Sequence, residues 1–220
     1  MENLLTPTKI VKTNRRTLSL IINNKGELIV RSPLNYKDSV IFDFINKKAN
    51  WIIQKRTEIL ENIIRPLKLI SGEQISLLGQ TYIIQLDKLK SVKVKDNNLI
   101  IPIENSKTRL VSYLKRTLKK IIEEKIYKIN QVYDFKFKNI SISSAKTNWG
   151  SCSGNNNLHF TYKLMLCPEQ IIDYLVVHEL VHTIIKNHSK AYWRNVKMIY
   201  PYYKECERWL KKNRTITEII

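Results

Sequence analysis

The stretch Ile171-Ile172-Asp173-Tyr174-Leu175-Val176-Val177-His178-Glu179-Leu180-Val181-His182 decides how the second half of this 220-residue chain folds. It is apolar almost throughout, which is typical of a helix buried in a core. Pro168 precedes it and suits the first turn of a helix, so we predict a helix that runs to about Lys186. Residues four apart share a helix face, and His178 and His182 can therefore point at one ion.

Two histidines and a glutamate on a buried helix need partners, because unpaired buried polar groups are costly. A metal ion satisfies all three. Zinc held by three protein groups keeps a fourth position for water and lowers the pKa of that water to about 7. Glu179 is rotated by about 100° from His178 on the helix, so it can take the proton as catalytic base without being a ligand. The alternative is a helix that carries these residues by chance, with His188 exposed.

A third ligand is needed, and His188 lies ten residues after His178. Asn187 tolerates the left-handed conformation that would turn the chain back toward the ion. The spacing matches that of HExxHxxxxxH sites, which favours His188. Glu205 and Glu207 are alternative carboxylate ligands.

The rest of the chain predicts an α+β fold with a β-rich N-terminal region, residues 1–105, and a helical region, residues 106–220. In the first region we predict a hairpin within residues 10–32 whose turn is 23–26, then one or two helices from 37 that end before Pro66, and short strands at 75–78, 82–86, 92–94 and 99–103. In the second we predict a long helix over 110–129, strands at 135–142 and 158–162, a loop at 149–154, and helices at 190–199 and 202–211.

Composition describes a globular protein with an excess of positive charge. The chain has 38 Lys and Arg against 19 Asp and Glu, a net charge of +19, and 43% hydrophobic residues. Such a charge suggests an acidic partner such as nucleic acid. The basic residues are spread along the whole chain, however, which favours the composition typical of A/T-rich genomes over a binding patch.

Three cysteines, no visible signal peptide and no apolar run of about 18 residues predict a cytoplasmic location without membrane insertion. Cys152 and Cys167 form no CxxC pair, and we expect both to be buried rather than ligating.

The chain resembles the YgjP-like metallopeptidases, relatives of the SprT-like and WLM zincins. The segments that carry the resemblance are Arg15–Leu20, Val30–Pro33, Trp51-Ile52, Ser71–Glu73, Leu78–Tyr82, Thr147–Ser153, Leu158–Leu164, Pro168, Ile172–His182 and Asn187–Trp193. The resemblance implies a zincin-like fold for the second region, Zn²⁺ held by His178, His182 and His188, and Glu179 as catalytic base. The chain departs from the family pattern at Asn148, where Arg is usual, and at Thr161, where Asn is usual.

A peptide substrate can add to an edge strand beside the helix that carries the metal ligands. We expect Leu158–Tyr162 to be that strand, with His159 and Tyr192 as possible donors to the oxyanion that forms during the reaction.

The sequence therefore predicts a zinc metallopeptidase. Two alternatives stay open: a metal-dependent hydrolase of an anionic substrate such as a nucleoside triphosphate, and a DNA-associated SprT-like protease or non-catalytic binding module.

Overall fold

The computed structural model describes residues 4–23, 25–61, 66–145, 148–213, 216 and 219–220. The chain forms two compact units, residues 1–64 and residues 65–220. Within the described residues, no helix combines the length and the apolar character that crossing a membrane requires.

The first unit packs a three-stranded sheet with two helices. Strands β1 (Lys9–Thr13), β2 (Ser19–Ile22) and β3 (Leu28–Pro33) lie in the order β1-β3-β2. The pair β2–β3 is antiparallel, which confirms the predicted hairpin, and β1 adds in parallel on the other side of β3. The predicted helical segment forms α1 (Asp38–Lys47) and α2 (Ala49–Glu61). Residue 24 of the predicted turn and the predicted helix end at 62–65 lie outside the described residues. The core consists of Leu28, Val30, Ile41, Ile45 and Ile52.

The second unit begins with a four-stranded sheet and a long helix. All four predicted strands are confirmed, as β4 (Gln74–Leu77), β5 (Gln80–Asp87), β6 (Lys93–Lys95) and β7 (Asn98–Pro102), in the order β4-β5-β7-β6. Helix α3 (Ser106–Tyr133) follows, and its spacing of three and four buries one stripe. The composition shift near residue 105 marks the passage from β7 to α3 and lies inside the second unit.

A second sheet of three strands lies in the order β8-β10-β9. Its strands are β8 (Ile140–Ser143), β9 (Gly150–Cys152) and β10 (Leu158–Thr161). The loop predicted at 149–154 was wrong at β9, which pairs antiparallel with β10, and the strand predicted at 135–142 begins only at Ile140. The prediction of an edge strand at 158–162 was also wrong, because β10 is paired on both sides.

Three helices complete the second unit: α4 (Glu169–Val181), α5 (Lys190–Ile199) and α6 (Tyr203–Lys212). Helix α4 is buried on almost every side, as its apolar sequence predicts. It ends at Val181 rather than at Lys186, which corrects the predicted end. The reason is a tightening of the backbone, since the amide and the hydroxyl of Thr183 both donate to the carbonyl of Leu180.

Candidate metal centre

Three histidine side chains converge where α4 ends. His178 lies in the last turn of α4, His182 is its C-cap residue, and His188 follows in the segment before α5. The Nε2 atom of His188 lies 3.1 Å from Nε2 of His182 and 3.3 Å from Nε2 of His178. All three ligand atoms lie within 4.8 Å of one another. Nitrogens bound 2.0–2.1 Å from a tetrahedral zinc ion lie roughly 3.3 Å apart, so this donor set fits a zinc ion.

The neighbours of two rings orient them for metal binding. His182 Nδ1 lies 3.0 Å from the carbonyl of Ile185, to which it donates, so the lone pair of the neutral ring is on Nε2. His178 Nδ1 lies 3.2 Å from the hydroxyl of Tyr174, one helical turn earlier. Both rings therefore present Nε2 to the centre.

His188 is brought back by the turn that starts α5. Ser189 is the N-cap residue, and its hydroxyl accepts from the amide of Tyr192. Asn187 is not among the described residues with positive φ, which corrects the expected left-handed conformation. Its side chain accepts from the amide of Ser189 instead, at 3.3 Å. The indole of Trp193 stacks on the His188 ring at a centroid distance of 5.6 Å.

Burial keeps His178 and His182 neutral. It lowers the pKa of His178 to about 3, helped by the nearby His182 and His188. Burial also lowers the pKa of His182. A neutral imidazole is the form that binds a metal, so these rings need not lose a proton to bind one near neutral pH.

The carboxylate of Glu179 is buried beside the histidines. Its side chain is 3% exposed, and within the described structure its Oε2 has no hydrogen-bond partner. Burial raises the pKa of Glu179 to about 8. Strand β9 passes close to this carboxylate. A Cβ atom added to Gly150 would lie only 2.6 Å from Glu179 Oε1. A side chain at position 150 would therefore force the carboxylate or the strand to shift.

A cavity of about 330 Å³ opens beside His178 and Glu179. Aromatic and aliphatic side chains form most of its wall, and Glu207 from α6 is part of it. The lining residues are Asn148, Trp149, Gly150, Tyr174, Leu175, His178, Glu179, Glu207 and Leu210. Burial raises the pKa of Glu207 above its ordinary value.

Comparison with known families agrees with this geometry. Residues 16–213 match the YgjP-like metallopeptidase domain. The chain belongs to the YgjP-like family. No curated protein and no solved structure matches the chain. Membership makes this chain a metallopeptidase-family hydrolase with peptide or protein substrates, and its three-histidine cluster fits the metal site of such an enzyme.

Two predicted contact residues of this YgjP-like chain lie away from the cavity wall. The hydroxyl of Tyr192 donates to the carbonyl of His178 at 3.0 Å, and its fully buried ring stacks on His182. His159 lies on β10, where its Nδ1 is 2.6 Å from the hydroxyl of Ser141. Neither residue is among those that line the cavity. Tyr192 therefore contacts His178 and His182 without lining the cavity.

The two residues that depart from the family pattern, Asn148 and Thr161, lie in different surroundings. Asn148 lines the cavity. Thr161 is buried on β10, and its hydroxyl donates to the carbonyl of Ala145 at 3.0 Å. A substitution at Thr161 therefore acts on loop support, whereas one at Asn148 acts at the cavity.

Other candidate ligands lie outside the histidine group. Among the described His, Cys, Asp and Glu residues, the one group close enough to hold an ion is that of the three histidines. It contains neither Glu205 nor Glu207, and none of the free cysteines. Cys167 is fully buried, as expected, whereas Cys152 is only partly buried.

Sequence reasoning missed Gly150, Trp149 and Tyr174 as parts of the site. A signal for Tyr174 was present, since it precedes His178 by four residues and so shares its helix face. Trp149 and Gly150 belong to a segment that carries the family resemblance, but no periodicity assigns them a neighbour.

Proposed function

We propose that this chain is a zinc-dependent peptidase in which His178, His182 and His188 hold the metal and Glu179 is the general base. The observation that carries the proposal is the convergence of three Nε2 atoms at zinc-like spacing beside a buried carboxylate. A structural cluster without a metal would leave that carboxylate without a partner in the described structure.

When bound, zinc supplies a Lewis acid and lowers the pKa of a coordinated water to about 7. In our proposal, the carboxylate of Glu179 accepts a proton from the attacking water and delivers it to the nitrogen of the leaving amine. A general base works best when its pKa is near the working pH. The burial that raises the pKa of Glu179 suits this double role.

We propose Tyr174, in place of Tyr192, as the donor to the oxyanion. If His178 binds the metal through Nε2, its Nδ1 carries the proton and donates to the Tyr174 oxygen. The Tyr174 hydroxyl hydrogen is then free to point into the cavity that this residue lines. A donor aimed at the position where negative charge develops stabilises the transition state.

We propose β9, in place of β10, as the strand to which a peptide substrate adds. In the described part of the sheet β8-β10-β9, strand β9 pairs with β10 on one side and is an unpaired edge on the other. The strand also carries Gly150, which touches Glu179. A peptide that pairs with β9 would pass close to the proposed base.

The lining of the cavity does not favour an anionic substrate. Among the described lining residues there is no Lys or Arg, and two of them, Glu179 and Glu207, are carboxylic acids. A nucleoside triphosphate would meet no positive side chain there. Association with nucleic acid rests on the net charge alone, and it stays a prediction, as does the cytoplasmic location.

Peptide cleavage tests the proposal. Zinc-loaded wild type should cleave a mixed peptide library and leave nucleoside triphosphates intact, and Glu179→Gln should lower cleavage by about 100- to 10,000-fold. Glu169→Gln, on the same helix but exposed, is the matched control and should retain activity. Triphosphate hydrolysis without peptide cleavage would contradict the proposal.

A further inference from the structure

The charges around the cavity are opposite to those of the chain as a whole. The chain carries 38 Lys and Arg against 19 Asp and Glu. The two described lining residues with ionisable carboxyl groups are Glu179 and Glu207, and no described Lys or Arg lines the cavity. This cavity is therefore a place where a cation is favoured on an otherwise cationic protein.

Glu207 lies beside the buried stripe of α6 and is itself exposed where it borders the cavity. Tyr203 and Cys206 on that stripe are buried, and Leu210 lines the cavity one turn after Glu207. Within the described structure Glu207 forms no ion pair, although α6 carries four basic residues. Lys204 and His188 lie near enough to favour its charge, and the residue lines the cavity.

Glu179 gives a second, independent sign that a ligand occupies this cavity. Its Oε2 is buried and has no partner in the described structure, and the side chain is 97% buried. Two carboxyl groups thus line one cavity together with aromatic and aliphatic side chains.

The shape and the wall chemistry suit a long side chain with a cationic end. At about 330 Å³ the cavity is at the small end of the range for ligand pockets. Trp149, Leu175 and Leu210 offer apolar surface along which an aliphatic stem can lie. Tyr174 and Trp149 also offer aromatic faces to a cation.

We propose that this cavity is a specificity subsite in which Glu207 binds a Lys or Arg side chain next to the scissile bond. The proposal rests on the proposed peptidase function. Glu207 is then a specificity-determining residue, whereas Glu179 acts on the reacting atoms.

The test uses acetylated hexapeptides Ac-Ala-Ala-Ala-Xaa-Ala-Ala-NH₂ with Lys, Arg, norleucine or Glu at Xaa. For zinc-loaded wild type we expect kcat/KM for the Lys and Arg peptides to exceed that for the norleucine peptide by about 10- to 100-fold, which is typical of a charged hydrogen bond. In Glu207→Gln this ratio should fall to near 1, and in Glu207→Lys the Glu peptide should become preferred. Glu205→Gln, an equal charge change on the same helix, should keep the wild-type ratio.

Three outcomes would overturn the proposal. The first is an unchanged Lys-to-norleucine ratio in Glu207→Gln. The second is loss of zinc from that variant, which would make Glu207 a metal ligand. The third is a preference that appears only when the peptide carries a free N-terminus, which would assign the cation to the terminal ammonium rather than to a side chain.

Binding measurements separate this proposal from the proposed function. If zinc-loaded wild type cleaves none of the peptides, the peptidase function fails, and calorimetric titration of the metal-free protein still tests the subsite. We expect the Lys peptide to bind about tenfold more tightly than the norleucine peptide, and Glu207→Gln to remove the difference. Equal binding of the two peptides to wild type would contradict the subsite.

Discussion

Replacement of Gly150 by Ala tests the close contact between β9 and the proposed general base. A Cβ atom at this position would lie 2.6 Å from Oε1 of Glu179 and 3.1 Å from its Cγ and Cδ. Non-bonded heavy atoms prefer separations of about 3.5 Å or more. The carboxylate must therefore move by about 0.9 Å, or β9 must move away from α4.

Both responses have measurable costs. A displacement of about 1 Å at a reacting group lowers turnover about 100-fold, so we expect a fall of that size in kcat. Overpacking of a buried site costs about 1–3 kcal/mol in the free energy of unfolding. The three heavy atoms nearest to that Cβ all belong to Glu179 and none to a histidine, and we expect the variant to bind zinc as the wild type does.

Two controls test this explanation: a glycine-to-alanine substitution elsewhere, and Gly150→Ala in a protein that lacks the Glu179 side chain. Gly154→Ala adds a Cβ with no atom within 4 Å and should leave stability and turnover unchanged. In a Glu179→Ala background the Gly150→Ala substitution should cost less than about 0.5 kcal/mol, because the clash is gone. Urea unfolding and peptide kinetics measure these effects. Equal costs of Gly150→Ala in both backgrounds would refute the reasoning.

Two further predictions concern Glu179 and the tyrosines. In metal-free protein the pKa of Glu179 is raised to about 8 from 4.5, so between these values the folded state holds a proton that the unfolded state has lost, and stability falls as pH rises. Urea unfolding in EDTA should show wild type losing about 2.5 kcal/mol relative to Glu179→Gln between pH 5 and pH 7, and parallel pH curves would argue against the buried acid. Tyr174→Phe should keep its zinc and lose about 100-fold in both kcat and kcat/KM. Tyr192→Phe should mainly lose stability, by about 1 kcal/mol, and a larger kcat loss in Tyr192→Phe than in Tyr174→Phe would reverse the assignment.

Periodicity predicted the elements whose burial alternates regularly. The stripe of α3 and strands β4, β5 and β7 of the larger sheet were predicted because each buries one face. Strand β6 is exposed at all three positions. Strand β9 was missed because Gly150, Ser151 and Cys152 have little strand propensity, and pairing with β10 alone makes them a strand. The end of α4 was predicted too late because Ile184 and Ile185 continue the apolar pattern, while the local bonds of Thr183 stop the helix.

For the site, sequence spacing was informative only along one helix. His178 and His182 share a face of α4 by spacing alone, and His188, which the pattern predicted as third ligand, lies close to both in the structure. The direction of a hydroxyl follows from tertiary packing, so the sequence could not show that Tyr174 lines the cavity whereas the Tyr192 hydroxyl donates to the carbonyl of His178. Glu207 was considered as a metal ligand, but its place in the cavity depends on how α6 packs against α4.

The zinc K-edge absorption spectrum of the zinc-loaded protein tests the central claim most directly, since it identifies the atoms that bind the metal. We predict one zinc per chain with three imidazole nitrogens at about 2.0–2.1 Å and no sulfur neighbour. In His182→Ala the bound zinc should be lost. A sulfur atom at about 2.3 Å, or a wild-type protein that retains no zinc, would contradict the three-histidine centre.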